Sequence, residues 1–93
     1  MMDELNGSEE ALATASLRRL RVVAEADPGT LARVLARFVN LNVTPRRVIA
    51  ELGSPDKMYI QVDVCGLPER SVALIADKVR QDVHVINAYW HPV

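Results

Sequence analysis

The sequence predicts an α+β fold: a four-stranded antiparallel sheet with two helices on one face. Three observations carry this. The run Lys57 to Cys65 alternates Met58, Ile60, Val62 and Val64 with Tyr59, Gln61, Asp63 and Cys65, the period of a half-buried strand. Leu31, Val34, Leu35 and Phe38 recur at helical spacing directly after the turn Asp27-Pro28-Gly29-Thr30. A second helical stripe, Val72, Ile75, Ala76 and Val79, follows Gly66-Leu67-Pro68-Glu69.

In chain order, residues 1–16 form an acidic lead-in of small residues. Ser8-Glu9-Glu10 either caps a short helix through Leu12, with acids at its positive end, or belongs to a frayed tail. Residues 17–93 form a single domain. Its first strand runs about Leu17 to Ala26, with Leu20, Val22, Ala24 and Ala26 on the buried face and Arg19, Arg21, Val23 and Glu25 on the open one. Asp27 is placed as the N-cap of the first helix and Pro28 as its first residue, where a missing N–H costs nothing. Arg33 and Arg37 lie on the wet side. Asn40-Leu41-Asn42 ends the helix, and Asn42 suits the left-handed conformation of a helix exit.

A second strand spans about Pro45 to Leu52, with Val48 and Ala50 facing in and Arg47, Ile49 and Glu51 out. Gly53-Ser54-Pro55-Asp56 is a turn into the third strand. The second helix ends near Gln81, and a fourth strand runs about Val83 to Trp90. The order strand, helix, strand, strand, helix, strand is the ferredoxin-like βαββαβ pattern, in which right-handed crossovers put both helices on one face.

Composition bounds the function. With 93 residues, 49% hydrophobic and 25% charged, the chain is composed like one small globular domain, of a size that often gains stability by pairing. A net charge of −1 argues against a general binder of nucleic acid or anionic membrane. One cysteine, Cys65, excludes an intrachain disulfide framework and fits a reducing cytoplasm. No lysine or arginine precedes Arg18 and no long apolar run opens the chain, so neither a signal peptide nor a membrane span is expected.

A base-stacking sheet needs aromatics on its central strands. The first strand offers none and the third only Tyr59. Cys65, His84 and His91 are the soft ligands, with no familiar metal spacing, so no metal site is expected; His84 suits a strand or edge position and His91 a tail. No arginine or lysine lies between Glu25 and Thr30 to hold a phosphate, and no base stands near Thr30 to make it a nucleophile. No catalytic residue and no cofactor is expected. A regulatory or interaction module remains.

The stretch Leu20 to Ala50, with its Glu-Ala-Asp-Pro-Gly-Thr-Leu-Ala-Arg-Val-Leu turn and helix, resembles an ACT domain. More narrowly it resembles the short, single-ACT small subunits of acetolactate (acetohydroxyacid) synthase. The likeness continues through Met58–Val64 and Arg70-Ser71-Val72 to Val85, and so covers roughly Leu17 to Ala88. It implies side-by-side homodimers with a small amino acid held between the first turn of one subunit and the second strand of its neighbour. The implied effector residues are Ala26, Asp27, Pro28, Gly29, Thr30, Leu31 and Thr44. The implied dimer edge is Val48, Ile49, Ala50, Glu51 and Leu52. A catalytic large subunit is the implied partner, in branched-chain amino-acid biosynthesis.

The residues agree in part. The N–H groups of Gly29, Thr30 and Leu31 at a helix start suit an α-carboxylate, unless Asp27 caps them itself. Ala26 and Thr44 stand where effector-responsive subunits carry asparagines, and Asn42 where the family usually has glycine. A subunit that assembles or activates without sensing an effector fits the same residues, as does an interaction domain for another enzyme. Pro45-Arg46-Arg47 at the start of the second strand discourages edge pairing there, while Ile49 to Leu52 remain suited to it.

Overall fold

The structure is a computed structural model, and it describes residues 17–93; the lead-in 1–16 lies outside the described residues. Six elements follow in the order β1 (Arg18–Glu25), α1 (Thr30–Val39), β2 (Arg47–Leu52), β3 (Lys57–Val64), α2 (Glu69–Arg80) and β4 (Val85–Pro92). All strand pairs are antiparallel and the sheet order is β2-β3-β1-β4. The βαββαβ architecture is the one the sequence pattern predicts.

β1 is central, paired with β3 from Arg18↔Val64 to Glu25↔Lys57 and with β4 from Arg18↔Pro92 to Ala24↔Val85. Its alternation aims Leu20, Val22 and Ala24 at the helices. They join Ile60, Val62, Val64 and Ala88 from the sheet, and Val34, Phe38, Ile75 and Val79 from the helices, in one buried core. Trp90 closes its edge. The indole meets the Phe38 ring edge-on at 6.2 Å, and its N–H donates to the Val72 carbonyl at 2.8 Å.

The elements differ from the sequence expectation at their ends, each time for a local reason. β1 stops at Glu25, because the Ala26 N–H turns to the Asp56 carbonyl at 3.0 Å; Ala26 is exposed, not buried. The N-cap of α1 is Gly29, not Asp27, and Pro28 precedes the helix. The chain leaves α1 through Asn42, whose φ of 56° is the left-handed exit anticipated for it. β4 begins two residues later than expected because Asp82 builds a turn. Its carboxylate accepts the His84 N–H and its carbonyl accepts the Val85 N–H.

β2 also starts later, at Arg47, and is more exposed than expected. Register puts Val48 opposite Val62 and Ala50 opposite Ile60, hence on the helix side as anticipated. Both are exposed nonetheless, because this edge strand projects beyond the helical layer.

Phe38 is fully buried at the centre of the core. Phe38→Ala is expected to cost about 3–5 kcal/mol of unfolding free energy, measured by urea unfolding followed through the lone tryptophan, Trp90.

Candidate functional site

Three chain segments converge where β1 ends. The Glu25 N–H donates to the His84 carbonyl at 2.8 Å, and the Ala26 N–H to the Asp56 carbonyl. The turn 26–30 therefore lies beside the β2–β3 and α2–β4 connections. Asp27 folds this turn. Its Oδ2 accepts the Gly29 N–H at 3.0 Å, and its backbone carbonyl accepts the Thr30 N–H at 3.0 Å. The hydrogen bonds of the turn thus use Gly29 and Thr30 and leave the N–H groups of Leu31 and Ala32.

The sequence offers no cation between Glu25 and Thr30, yet the structure supplies one from the helix. Arg33 lies on the wet side, and while it stays exposed its side chain folds back over the turn. Its Nη2 donates to Asp27 Oδ2 at 3.1 Å and to Thr30 Oγ1 at 3.2 Å, and its Nε donates to Asp82 Oδ2. Thr30 is fully buried, which suits a packed first-turn hydroxyl and not a nucleophile. Gly29 makes room for Arg33. A Cβ there would lie 2.5 Å from Nη1, so any side chain would displace the guanidinium. Gly29 itself has a right-handed backbone, φ −86°. Spacing could have flagged Arg33, one helical turn after Gly29, but Asp82 comes from a connection 49 residues away.

His84 completes the cluster from the α2–β4 turn, not from a strand. Its ring nitrogens lie 3.6 Å from Glu25 Oε1 and 3.8 Å from Asp27 Oδ1. The Arg33 guanidinium, and then the Gly29 N–H, holds the Asp27 carboxyl below the usual carboxylate range. Arg33, and then the His84 N–H, does the same for Asp82.

Of the other residues singled out, Thr44 lies before β2, at the opposite end of the sheet from the turn within one chain. The edge residues Val48 to Leu52 form one continuous strand with Leu52 well exposed. On the open sheet face, Arg19 grips the buried Asp63 through two bonds of 2.8 and 3.1 Å. β4 adds Tyr89 and His91 to that face, opposite Arg21 and Arg19, so His91 belongs to the sheet and not to a tail. Cys65 accepts a hydrogen bond from Arg46 Nη1 at 3.3 Å. A shallow apolar groove between the helices, floored by Leu41, Leu74 and Ile75 and rimmed by Arg37 and Lys78, involves no residue of the turn.

Residues 10–93 match the family described as ACT-like domain. The chain belongs to that family. Solved structures agree in fold. The ACT domain of a GTP pyrophosphokinase from Chlorobium tepidum superposes with a TM-score of 0.70 at 13% identity, covering 81% of this chain and 96% of that one. The C-terminal domain of the MgtC protein from Mycobacterium tuberculosis gives 0.70 at 12%, covering 83% and 86%. The ligand-free regulatory subunit of aspartate kinase from Thermus thermophilus gives 0.70 at 13%, covering 84% of this chain and 52% of that subunit. None of these three is an acetolactate synthase subunit. Comparison with curated protein sequences returned no match. ACT domains are typically regulatory, and they commonly dimerise and bind amino-acid effectors. Among the described residues no helix is long and apolar enough to cross a membrane.

The Arg33 network gives a pH test. Because the folded-state values of Asp27 and Asp82 are lowered, their contribution is complete above the ordinary aspartate value of about 3.9 and is lost as pH falls through the lowered values. Arg33→Met is expected to reduce stability at neutral pH and to flatten part of the acid limb. Urea midpoints from pH 7 down to pH 2 (about the range over which aspartates titrate) measure both.

Proposed function

We propose that this chain is a non-catalytic regulatory ACT module that works as a homodimer joined along β2, with a larger catalytic chain as its partner. The observation that carries this reading is the β2 edge, a strand paired with β3 on one side and, among the described residues, with nothing on the other, whose helix-side residues Val48 and Leu52 are left uncovered. A second copy laid antiparallel along β2 would continue the sheet and give both side chains neighbours. The turn 26–30 supports an assembly role above a sensing one. Its Gly29 N–H is taken by Asp27 and its concave side by Arg33. The likeness of Leu17 to Ala88 to acetolactate synthase small subunits makes that thiamine-dependent synthase the partner to try first, in the cytoplasm and in branched-chain amino-acid biosynthesis.

A second reading, a small amino acid bound at Asp27–Leu31, is favoured by the N–H groups of Leu31 and Ala32, which the turn leaves unused. In an antiparallel pair centred on Ala50, Thr44 of the partner subunit falls opposite Asp56, whose carbonyl holds the Ala26 N–H. The dimer would thus bring together candidate residues that one chain keeps apart.

Light scattering of the purified chain is expected to give twice the 10.3 kDa chain mass, and Ala50→Pro in β2 to halve it. A wild-type monomer would overturn the homodimer. Calorimetric titration with each standard amino acid separates the two readings. Silence from all of them leaves assembly alone, and heat that disappears in Thr44→Val establishes the sensor. Co-purification from the native host with a thiamine-dependent synthase chain is the expected result for the partner; recovery of the ACT homodimer without one would remove the synthase assignment.

A further inference from the structure

Among the described residues, a sheet ordered β2-β3-β1-β4 has two open edges, and each shows outward N–H and C=O groups to which another strand can add. The two edges are built differently. We propose that β4 is sealed against strand addition by Arg80, Asn87, His91 and Pro92, so that a second copy adds only along β2 and assembly stops at two chains. The proposal rests on the β2-paired dimer above and adds to it the device that keeps the dimer from growing.

The argument starts from the ladder. The Val93 N–H donates to the Leu17 carbonyl, so position 93 turns its backbone groups toward β1. Alternation along an antiparallel strand then turns positions 88, 90 and 92 outward. At Ala88 both outward groups are occupied by side chains. The N–H donates to Asn87 Oδ1 at 2.9 Å, and the carbonyl accepts from Arg80 Nε at 2.9 Å. Asp77 steadies that guanidinium from one turn back on α2, Oδ1 to Nη1 at 3.1 Å.

Two positions further out, Pro92 has no N–H to offer. Its carbonyl lies 2.8 Å from His91 Nδ1. His91 Nε2 accepts from Arg21 Nε at 3.0 Å, which leaves the ring proton on Nδ1, directed at that carbonyl. Trp90 stands between two plugged positions, its indole turned back to α2. A single residue is too short a row to seat a strand.

β2 has no such plugs. Among the described residues no side chain bonds to a backbone group of Arg47–Leu52. Its exposed Val48 and Leu52 add apolar area for a second copy. One addition uses the β2 edges of both chains and leaves only sealed β4 edges at the ends, which closes the assembly.

The test uses the full chain in size-exclusion chromatography with light scattering, circular dichroism confirming the fold. Asn87→Val with Arg80→Met is expected to give species of at least twice the wild-type mass that grow with concentration. Adding Ala50→Pro to this pair should return a dimer, now joined through β4. A folded double variant at the wild-type mass would overturn the seal. Asn87→Val alone, at an exposed position, frees only the Ala88 N–H and should show a weaker gain; if the double variant loses its fold, no gain from this single change at any concentration overturns the seal. If the wild type and Ala50→Pro both run as monomers, the β2 dimer falls, and the seal is then judged by whether the double variant rises above the 10.3 kDa chain mass.

Discussion

The double pairing of β1 is the constraint on which the rest depends. A strand bonded on both sides cannot shift register without breaking two ladders at once, and a one-residue slip would turn Leu20, Val22 and Ala24 out of the core. With β1 held, both helices have a floor to pack on. Its C-terminal end becomes the point where the β2–β3 and α2–β4 connections are tied to the turn 26–30. The cluster of Asp27, Arg33, Asp82 and His84 is a product of that convergence, assembled from segments that have no local affinity for one another.

Much of this was legible in the sequence. Alternation in Met58–Val64 is plain, that in Leu20–Ala24 is interrupted only by Val23, and the stripes Leu31–Phe38 and Val72–Val79 have helical spacing. What the pattern could not convey were relations across the sheet. Val48 and Ala50 face the helices, but whether a helix reaches them depends on how far the layer extends. Arg33 reads correctly as a residue of the wet side, but its partner Asp82 comes into view only once the fold sets the two side by side. Asp27 reads as an N-cap by type and position. Its carboxylate instead bonds the Gly29 N–H two residues on, and the helix begins after it. The hydrogen bonds at Ala88 were out of reach for the same reason, since Arg80 meets that carbonyl only once α2 is packed along β4.

The two sheet edges and the turn describe one economy of backbone groups. At several points where the chain brings polar backbone to the surface near β1 or β4, a neighbouring side chain takes it up: Asp27 at Gly29, Asp82 at His84, Asn87 and Arg80 at Ala88. β2 is the exception, and an ACT-like domain with one exposed and one sealed edge has a direction built into its surface. Arg33 contributes to the same theme by placing a guanidinium where a ligand's anion would otherwise meet the start of α1.

The pairing of β1 also sets an order of events in time. Its side-chain partners are far along the chain, with Arg19 and Asp63 separated by 44 residues and Arg21 and His91 by 70. Contacts of such sequence separation make folding slow compared with a helical bundle of equal size, because long loops must close before any of the pairing is gained. During synthesis β1 must wait for β3, and then for β4, the last of the six elements. Throughout that wait an apolar strand has two unsatisfied edges. The arginines at 18, 19 and 21 then act as gatekeepers, a run of positive charge that keeps nascent chains from joining strand to strand before their own partners arrive.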